Sequence, residues 1–224
     1  MEPCEGHKAS FRFKHSNVVW AFTESVSANV YIGNYTTIGQ VDNPNHKTQS
    51  SILPVKFGDG VAIGNCCTIS ENVTLGNRVK IGNNVVIRSG VTISDDCTVG
   101  HGTVFEGDAF IGENTLIHAQ CHITRGVNIG RRVFIAPYFV GANDPICLRR
   151  DLKPEFGLFE PVGYTIEDGA RIGIGVVVLP GVRIGKNAQI AAHSIVTKDV
   201  EEAALVMGSP AKFIRKILKE EWCS

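Results

Sequence analysis

What this 224-residue chain lacks narrows its roles before any motif is read. Lysine and arginine number 22 and so do aspartate and glutamate, so no overall positive field exists to hold nucleic acid or anionic lipid. No run of about 18 or more apolar residues occurs, and no secretory leader is recognisable, so a cytoplasmic protein is expected. The seven cysteines are odd in number and contain no CxxC pair, which argues against a disulfide framework and against a zinc ribbon. Disorder is excluded too: 43% of the residues are hydrophobic, enough to build the core of one or at most two domains. The notable excess is glycine, at 24.

A short period organises the rest. From Phe57 onward an aliphatic or aromatic residue recurs at every sixth position: Phe57, Ile63, Ile69, Leu75, Ile81, Ile87, Ile93, Val99, Phe105, Ile111, Ile117, Ile123, Ile129 and Ile135. At this composition such a series arises by chance about once in a hundred thousand frames. The residue after it is often glycine, as at Gly58, Gly64, Gly76, Gly82, Gly100, Gly112 and Gly130, which suits a chain that bends at each repeat. The fourth residue after it is small or β-branched, Cys67, Cys97 and Cys121 among them, with Phe139 the exception. The same frame holds at Val26, Ile32 and Ile38 and again from Ile166 to Val196, while segments near 40–56 and 143–164 break it and read as loops.

A unit of six residues cannot bury its own aliphatic side chain, so the units must stack. Three of them would close a triangular coil of about 18 residues, setting equal positions above one another at roughly the 4.8 Å spacing of paired strands. The pattern resembles the hexapeptide-repeat proteins, and the resemblance implies a left-handed parallel β-helix, a handedness opposite to the usual crossover rule. The segments "IGIGVVVLPGVRIGKNAQIAAHSIVTKDV" and "ALVMGSPAKFIRKILKEEW" look like the closing coils and capping helix of hexapeptide acyltransferases that use coenzyme A. The expected organisation is an N-terminal cap over 1–25, a β-helix over 26–200 and a helical cap over 201–224. Ser209 would be the N-cap of that helix, with Pro210 in its first turn.

In so regular a scaffold, function is expected where the repeat is broken. His101, His118, Gln120, His122, Arg125, Asn143 and Asp144 fall near one corner, where the second loop departs, with Arg125 stacking on Asn143. "RRVFIAPYFVGANDP" resembles the segment ending GPxxxFTND in hexapeptide N-acetyltransferases that act on nucleotide-linked amino sugars. Asn143 and Asp144 match its last two residues, Gly141 and Ala142 replace its Phe-Thr pair, and Arg149 or Arg150 stands for a later basic residue. "IHAQCHI" occupies the stretch that usually reads IQNN in that family, which puts His118 and Gln120 where polar residues approach the sugar amine.

The resemblance therefore implies acetyl transfer from acetyl-CoA to a nucleotide-sugar amine. His122 or His118 would accept the proton, Asn143 or Asp144 would orient the acceptor, and Gln120 and Arg125 would help bind it. Coenzyme A would lie near Gly173, Gly175 and Ala192, where small residues let an extended arm approach the backbone, with His193 close by. Lys198, Lys212, Arg215 and Lys216 are candidates for its phosphates.

Three alternatives stand beside this reading. "QVDNPNHKTQSSILP" looks like the loop of the sugar and xenobiotic O-acetyltransferases, with His46 as base. A γ-type carbonic anhydrase shares the fold and would need three converging imidazoles on zinc, whereas the preferred reading has no metal. Hexapeptide helices also serve as bare scaffolds. A homotrimer with an intersubunit cleft is expected from the resemblance and from the flat faces of a triangular coil. The cysteines at inward positions read as compact hydrophobes, with Cys67 and Cys121 three coils apart and too distant to bridge.

Overall fold

The computed structural model describes residues 19–20, 29–42, 53–145 and 161–222. They wind into a parallel β-solenoid of two-residue strands gathered into three long sheets. We number the faces by sheet. Face one runs from Val19–Trp20 to Ile195–Val196 and includes Val104–Phe105, His122–Ile123 and Val140–Gly141. Face two runs from Lys56–Phe57 to Arg183–Ile184, and face three from Tyr31–Ile32 to the C-terminal strands.

Register follows the six-residue frame. Thr92 pairs with Phe110, Thr98 with Leu116 and Val104 with His122, each exactly three repeat units along the chain. The second residue of each strand points inward, so Ile87, Phe105 and Ile123, or Ile93, Ile111 and Ile129, stack as ladders with no solvent exposure. Burial of each such side chain contributes about 1.5–3 kcal/mol, and no single repeat could collect it alone. The loops leave from the corner between faces one and two and the frame resumes after them, because Thr37 pairs with Thr68 and Val140 with Val177.

Four expectations change on the structure. The glycines after the aliphatic residue are not where the chain bends. The left-handed backbone sits two residues later, at Cys66 (φ 56°), Asn84 (φ 57°), Gly102 (φ 68°) and Gln120 (φ 59°). The preceding glycine is needed because coils touch there: a Cβ on Gly82 would lie 2.7 Å from the His101 nitrogen of the next coil. The C-terminal region is no helical cap but an antiparallel hairpin, Ala204–Met207 with Lys212–Lys216, followed by the 3-10 turn Lys219–Glu221. Ser209 and Pro210 form its turn rather than a helix start. Backbone pairing of Gln189 with Leu205 covers the last coil's edge, the task a helix was expected to do. Of the N-terminal cap, Val19–Trp20 is described, and it is a strand already paired to Thr37–Ile38.

The inward cysteines do more than fill space. The thiols of Cys67, Cys97 and Cys121 point at the carbonyls of Gly82, Gly112 and Ala136 in the next coil, 3.0, 3.1 and 3.4 Å away. Thr103 and Thr115 repeat the contact, donating to His118 O and Gly130 O at 2.9 and 2.8 Å. Each satisfies a corner carbonyl that the short strands leave over.

One coil departs from the ladder rule. Gly141 stands between Ile123 and Val178 in the face-one ladder, and the space is filled by the ring of Tyr164, which enters from the returning end of the second loop. Tyr164 and Phe139 both take corner positions that are small elsewhere, and their rings meet edge to face at 5.6 Å. Large corners and a missing ladder side chain exchange volume at constant packing.

Candidate functional site

The site residues are arranged by the winding, not by one corner. His118 and Gln120 lie on the corner between faces three and one, His122 lies on face one itself, and Arg125 and Asn143 lie on the next corner, between faces one and two. The sequence placed all of them around a single corner; the structure spreads them across the width of face one, because His122 occupies the outward strand position between two turns.

His122 is the outward residue of its strand and is held by a carboxylate from the coil below. Its Nε2 lies 3.0 Å from Glu106 Oε1, with the two side chains 40% and 37% exposed. The carboxylate can only accept, so in the neutral imidazole it selects the tautomer with the proton on Nε2 and the lone pair on Nδ1. Glu106 was not anticipated. Its signal is a diagonal one: in an 18-residue coil, a side chain sixteen residues upstream is the neighbour below and one strand-length across.

The neighbouring corner is also tied down. Arg125 Nε meets Asp108 Oδ2 at 2.8 Å, and the Asn143 side-chain amide donates to Arg125 O at 3.3 Å, the stacking contact that the spacing implied. Val162 N donates to Asn143 O at 2.9 Å, so the loop's two ends meet beside Asn143. Asp144 is half-buried next to it. Behind this corner the Tyr164 hydroxyl is fully buried, and burial, with the charges of Cys121 and Glu106 nearby, holds it well above its ordinary acidity range. It and the neighbouring Thr124 hydroxyl are buried without a close hydrogen-bond partner among the described residues.

Two of the histidines have structural explanations. His101 Nδ1 accepts the Asn83 N–H at 2.7 Å, continuing a corner ladder in which Asn65 and Asn83 serve the coils below. The ladder stops at Ala119, and His101 has no part in the site. His118 packs edge-on against Phe134, ring centres 5.4 Å apart, on the face-three side of its corner, turned away from His122. His46, Arg149 and Arg150 lie outside the described residues, and among the described residues no three histidine, cysteine or acidic side chains gather to hold a metal ion. No helix among the described residues is long and apolar enough to cross a membrane.

The expected cofactor strip is one continuous edge. Ala119, Pro137, Ile174 and Ala192 stack along the corner between faces three and one, with Gly173 and Gly175 in the same stack and His193 exposed at its top. At about 4.8 Å per coil this edge spans roughly 14 Å from Ala119 to Ala192. Ala192 and Ile174 are exposed on it, so it offers an apolar strip whose largest exposed aliphatic side chain is Ile174. Of the expected phosphate ligands, Lys198 and Lys212 are exposed with no ion pair among the described residues. Arg215 is instead clamped by both oxygens of Glu221 at 2.7 and 2.8 Å, and Lys216 by Glu201 at 2.8 Å, which leaves them poorly placed for a ligand.

Two cavities, of about 630 and 1000 Å³, lie on the opposite side of the coil, and neither is lined by His118, His122 or Asn143. The outward residues around His122 are apolar instead: Val86, Val104, Val140, Val177 and Ile195 form a stripe on face one, flanked by exposed Tyr138 and Ile174.

Comparison with known proteins agrees with the winding. Residues 72–107 and 163–198 match the bacterial transferase hexapeptide model, and residues 54–89 and 109–136 match the hexapeptide repeat of succinyl-transferase. Over 98 residues the chain is 45% identical to the Saccharomyces cerevisiae protein YJL218W, covering 42% of this chain and 48% of that protein, so the match spans about half of the relative's length. A galactoside acetyltransferase in complex with coenzyme A superposes with a TM-score of 0.51 at 29% identity, covering 59% of this chain and 67% of that one. The UDP-N-acetylglucosamine acyltransferase of Campylobacter jejuni shares the fold over 90% of this chain and 74% of its own, with a TM-score of 0.70 at 19% identity. On the repeat matches, the register and these likenesses together, the chain belongs to the hexapeptide-repeat transferase family.

Proposed function

We propose that this protein is an acetyl-CoA-dependent acetyltransferase in which His122 is the general base and Glu106 orients it. The observation that carries the reading is the outward His122–Glu106 pair at 3.0 Å, set at the root of the long loop. With Nε2–H directed at Glu106, Nδ1 is the atom that takes a proton from an incoming nucleophile, and the carboxylate stabilises the imidazolium that results. Asn143, anchored to Arg125 O, and Asp144 sit where an acceptor beside His122 would be oriented.

Acetyl-CoA, when bound, supplies the acyl group as a thioester. The corner of Gly173, Gly175 and Ala192 fits its extended arm, and Lys198 and Lys212 are the cations available for its phosphates. The acceptor in this reading is the amine of a nucleotide-linked amino sugar. A second reading, a sugar hydroxyl, is favoured by the likeness to the galactoside acetyltransferase. The apolar stripe on face one supports association of like chains, a homotrimer with His122 in the cleft between protomers.

Acetyl-CoA consumption measured against nucleotide-linked amino sugars and their hydroxyl counterparts tests the reading. Turnover on the amines, lost in His122→Ala, is the expected result. Absence of acetyl-CoA binding by calorimetry at millimolar ligand would replace the enzyme with a scaffold, and turnover on hydroxyl acceptors alone would select the second reading.

A further inference from the structure

The larger cavity, about 1000 Å³, lies on face three at the corner shared with face two. In a triangular coil that corner is opposite the face carrying His122, and it is a different corner from the strip of Gly173 and Ala192. The C-terminal turn closes one side of it: Lys219 and Trp222 fold back over the strand of Arg171. Arg132, Phe134 and Asn187 border the rest.

Three features of this cavity point to an anion with a ring. Its lining holds three cations, Arg132, Arg171 and Lys219, and no carboxylate. Arg132 and Lys219 are exposed and have no ion pair among the described residues. Glu221 feels Arg171, but both of its oxygens are already taken by Arg215. Next, Arg171 Nη2 and Trp222 Nε1 are buried donors with no acceptor among the described residues. Donors removed from water and left without a partner carry a cost that an acceptor-rich ligand would relieve. Finally, two aromatic side chains, Trp222 and the partly exposed Phe134, border the same space as the guanidinium groups.

We propose that this cavity is a second ligand site, separate from the acetyl-transfer site, that binds a nucleotide: phosphate on Arg132, Arg171 and Lys219, and the planar base against Trp222 and Phe134. The proposal does not depend on the catalytic reading, since it uses none of the same residues.

The full chain carrying Trp20→Phe leaves Trp222 as the one tryptophan, so its fluorescence reports on the cavity directly. Titration with inorganic pyrophosphate, UDP and ADP is the test, with calorimetry in parallel. Saturable binding is expected for UDP or ADP, about tenfold tighter than for pyrophosphate because the base adds its stacking. Whichever of UDP and ADP binds more tightly identifies the base. Arg132→Ala and Lys219→Ala, whose side chains are exposed and have no ion pair among the described residues, should each weaken binding about fivefold or more while leaving the melting temperature unchanged. Three results would overturn the proposal. One is no saturable signal at millimolar nucleotide, and another is binding undiminished in the Arg132→Ala/Lys219→Ala double variant. The third is displacement of the nucleotide by desulfo-coenzyme A at concentrations well below those at which ADP itself binds, which would make the cavity the donor's own pocket. Pyrophosphate binding as tightly as the nucleotides would overturn the part played by the rings.

Discussion

The exchange of volume between Gly141 and Tyr164 gives the most exacting test of how this solenoid is packed. Gly141→Val would restore a ladder side chain between Ile123 and Val178, but the space is occupied by the Tyr164 ring, so the variant should lose about 1–3 kcal/mol to overpacking. Tyr164→Ala empties the same space, and removal of a buried aromatic ring costs about 3–5 kcal/mol. Combined, the two changes rebuild the regular repeat, with a β-branched residue in the ladder and a small one at the corner. The double variant should therefore be more stable than Tyr164→Ala alone by about 1.5–3 kcal/mol, the burial of one ladder side chain. Tyr164→Phe is the control. It removes a buried hydroxyl that has no close hydrogen-bond partner among the described residues, so it should be neutral or stabilise by up to about 1 kcal/mol. Urea unfolding midpoints at one fixed protein concentration measure all four proteins, with the slope checked for constancy. Losses in the double variant that equal or exceed the sum of the single losses would show that the ring does not fill the ladder's gap, and the account of this coil would fail.

Other outcomes follow from the same geometry. Glu106→Gln keeps the shape beside His122 but removes the charge that supports its imidazolium, so turnover should fall about 10- to 100-fold with the melting temperature held; unchanged kinetics would remove Glu106 from the mechanism. Burial pushes the thiols of Cys97 and Cys121 up to about 11, whereas Cys66 is exposed. With Cys4, Cys147 and Cys223 replaced by serine, one thiol should react with Ellman's reagent at pH 8 in the folded protein, and fast reaction of two or more would contradict the inward placement. The same two thiols ionise first in the unfolded chain, near 9, so they favour the folded state fully below that pH; stability should decline as pH rises from about 9 to about 11. A urea midpoint flat across that range would argue against their burial. Ile111→Ala, at the centre of the face-two ladder, should cost about 2–5 kcal/mol, readable as a lowered urea midpoint.

The reach of the sequence has a clear physical boundary here. The six-residue period fixed the coil, the three faces, the strand register and the places where loops interrupt it, since one inward ladder per face is the only way such short units can bury their aliphatic residues. It also placed Arg125 under Asn143, because vertical neighbours are a constant distance apart in the chain. Diagonal neighbours carry no such mark. Glu106 beside His122, Tyr164 inside the gap at Gly141 and the C-terminal turn over Arg171 each join residues whose separation depends on side-chain length, rotamer or the path of a loop, and those emerge only when the coils are stacked. The role of the repeat glycines is likewise invisible in the chain alone: a bend is a local property, but the closeness of His101 to Gly82 exists only between one coil and the next. The capping hairpin was decided by the open edge of the last coil, which offers unpaired backbone groups that a strand satisfies and a helix would not.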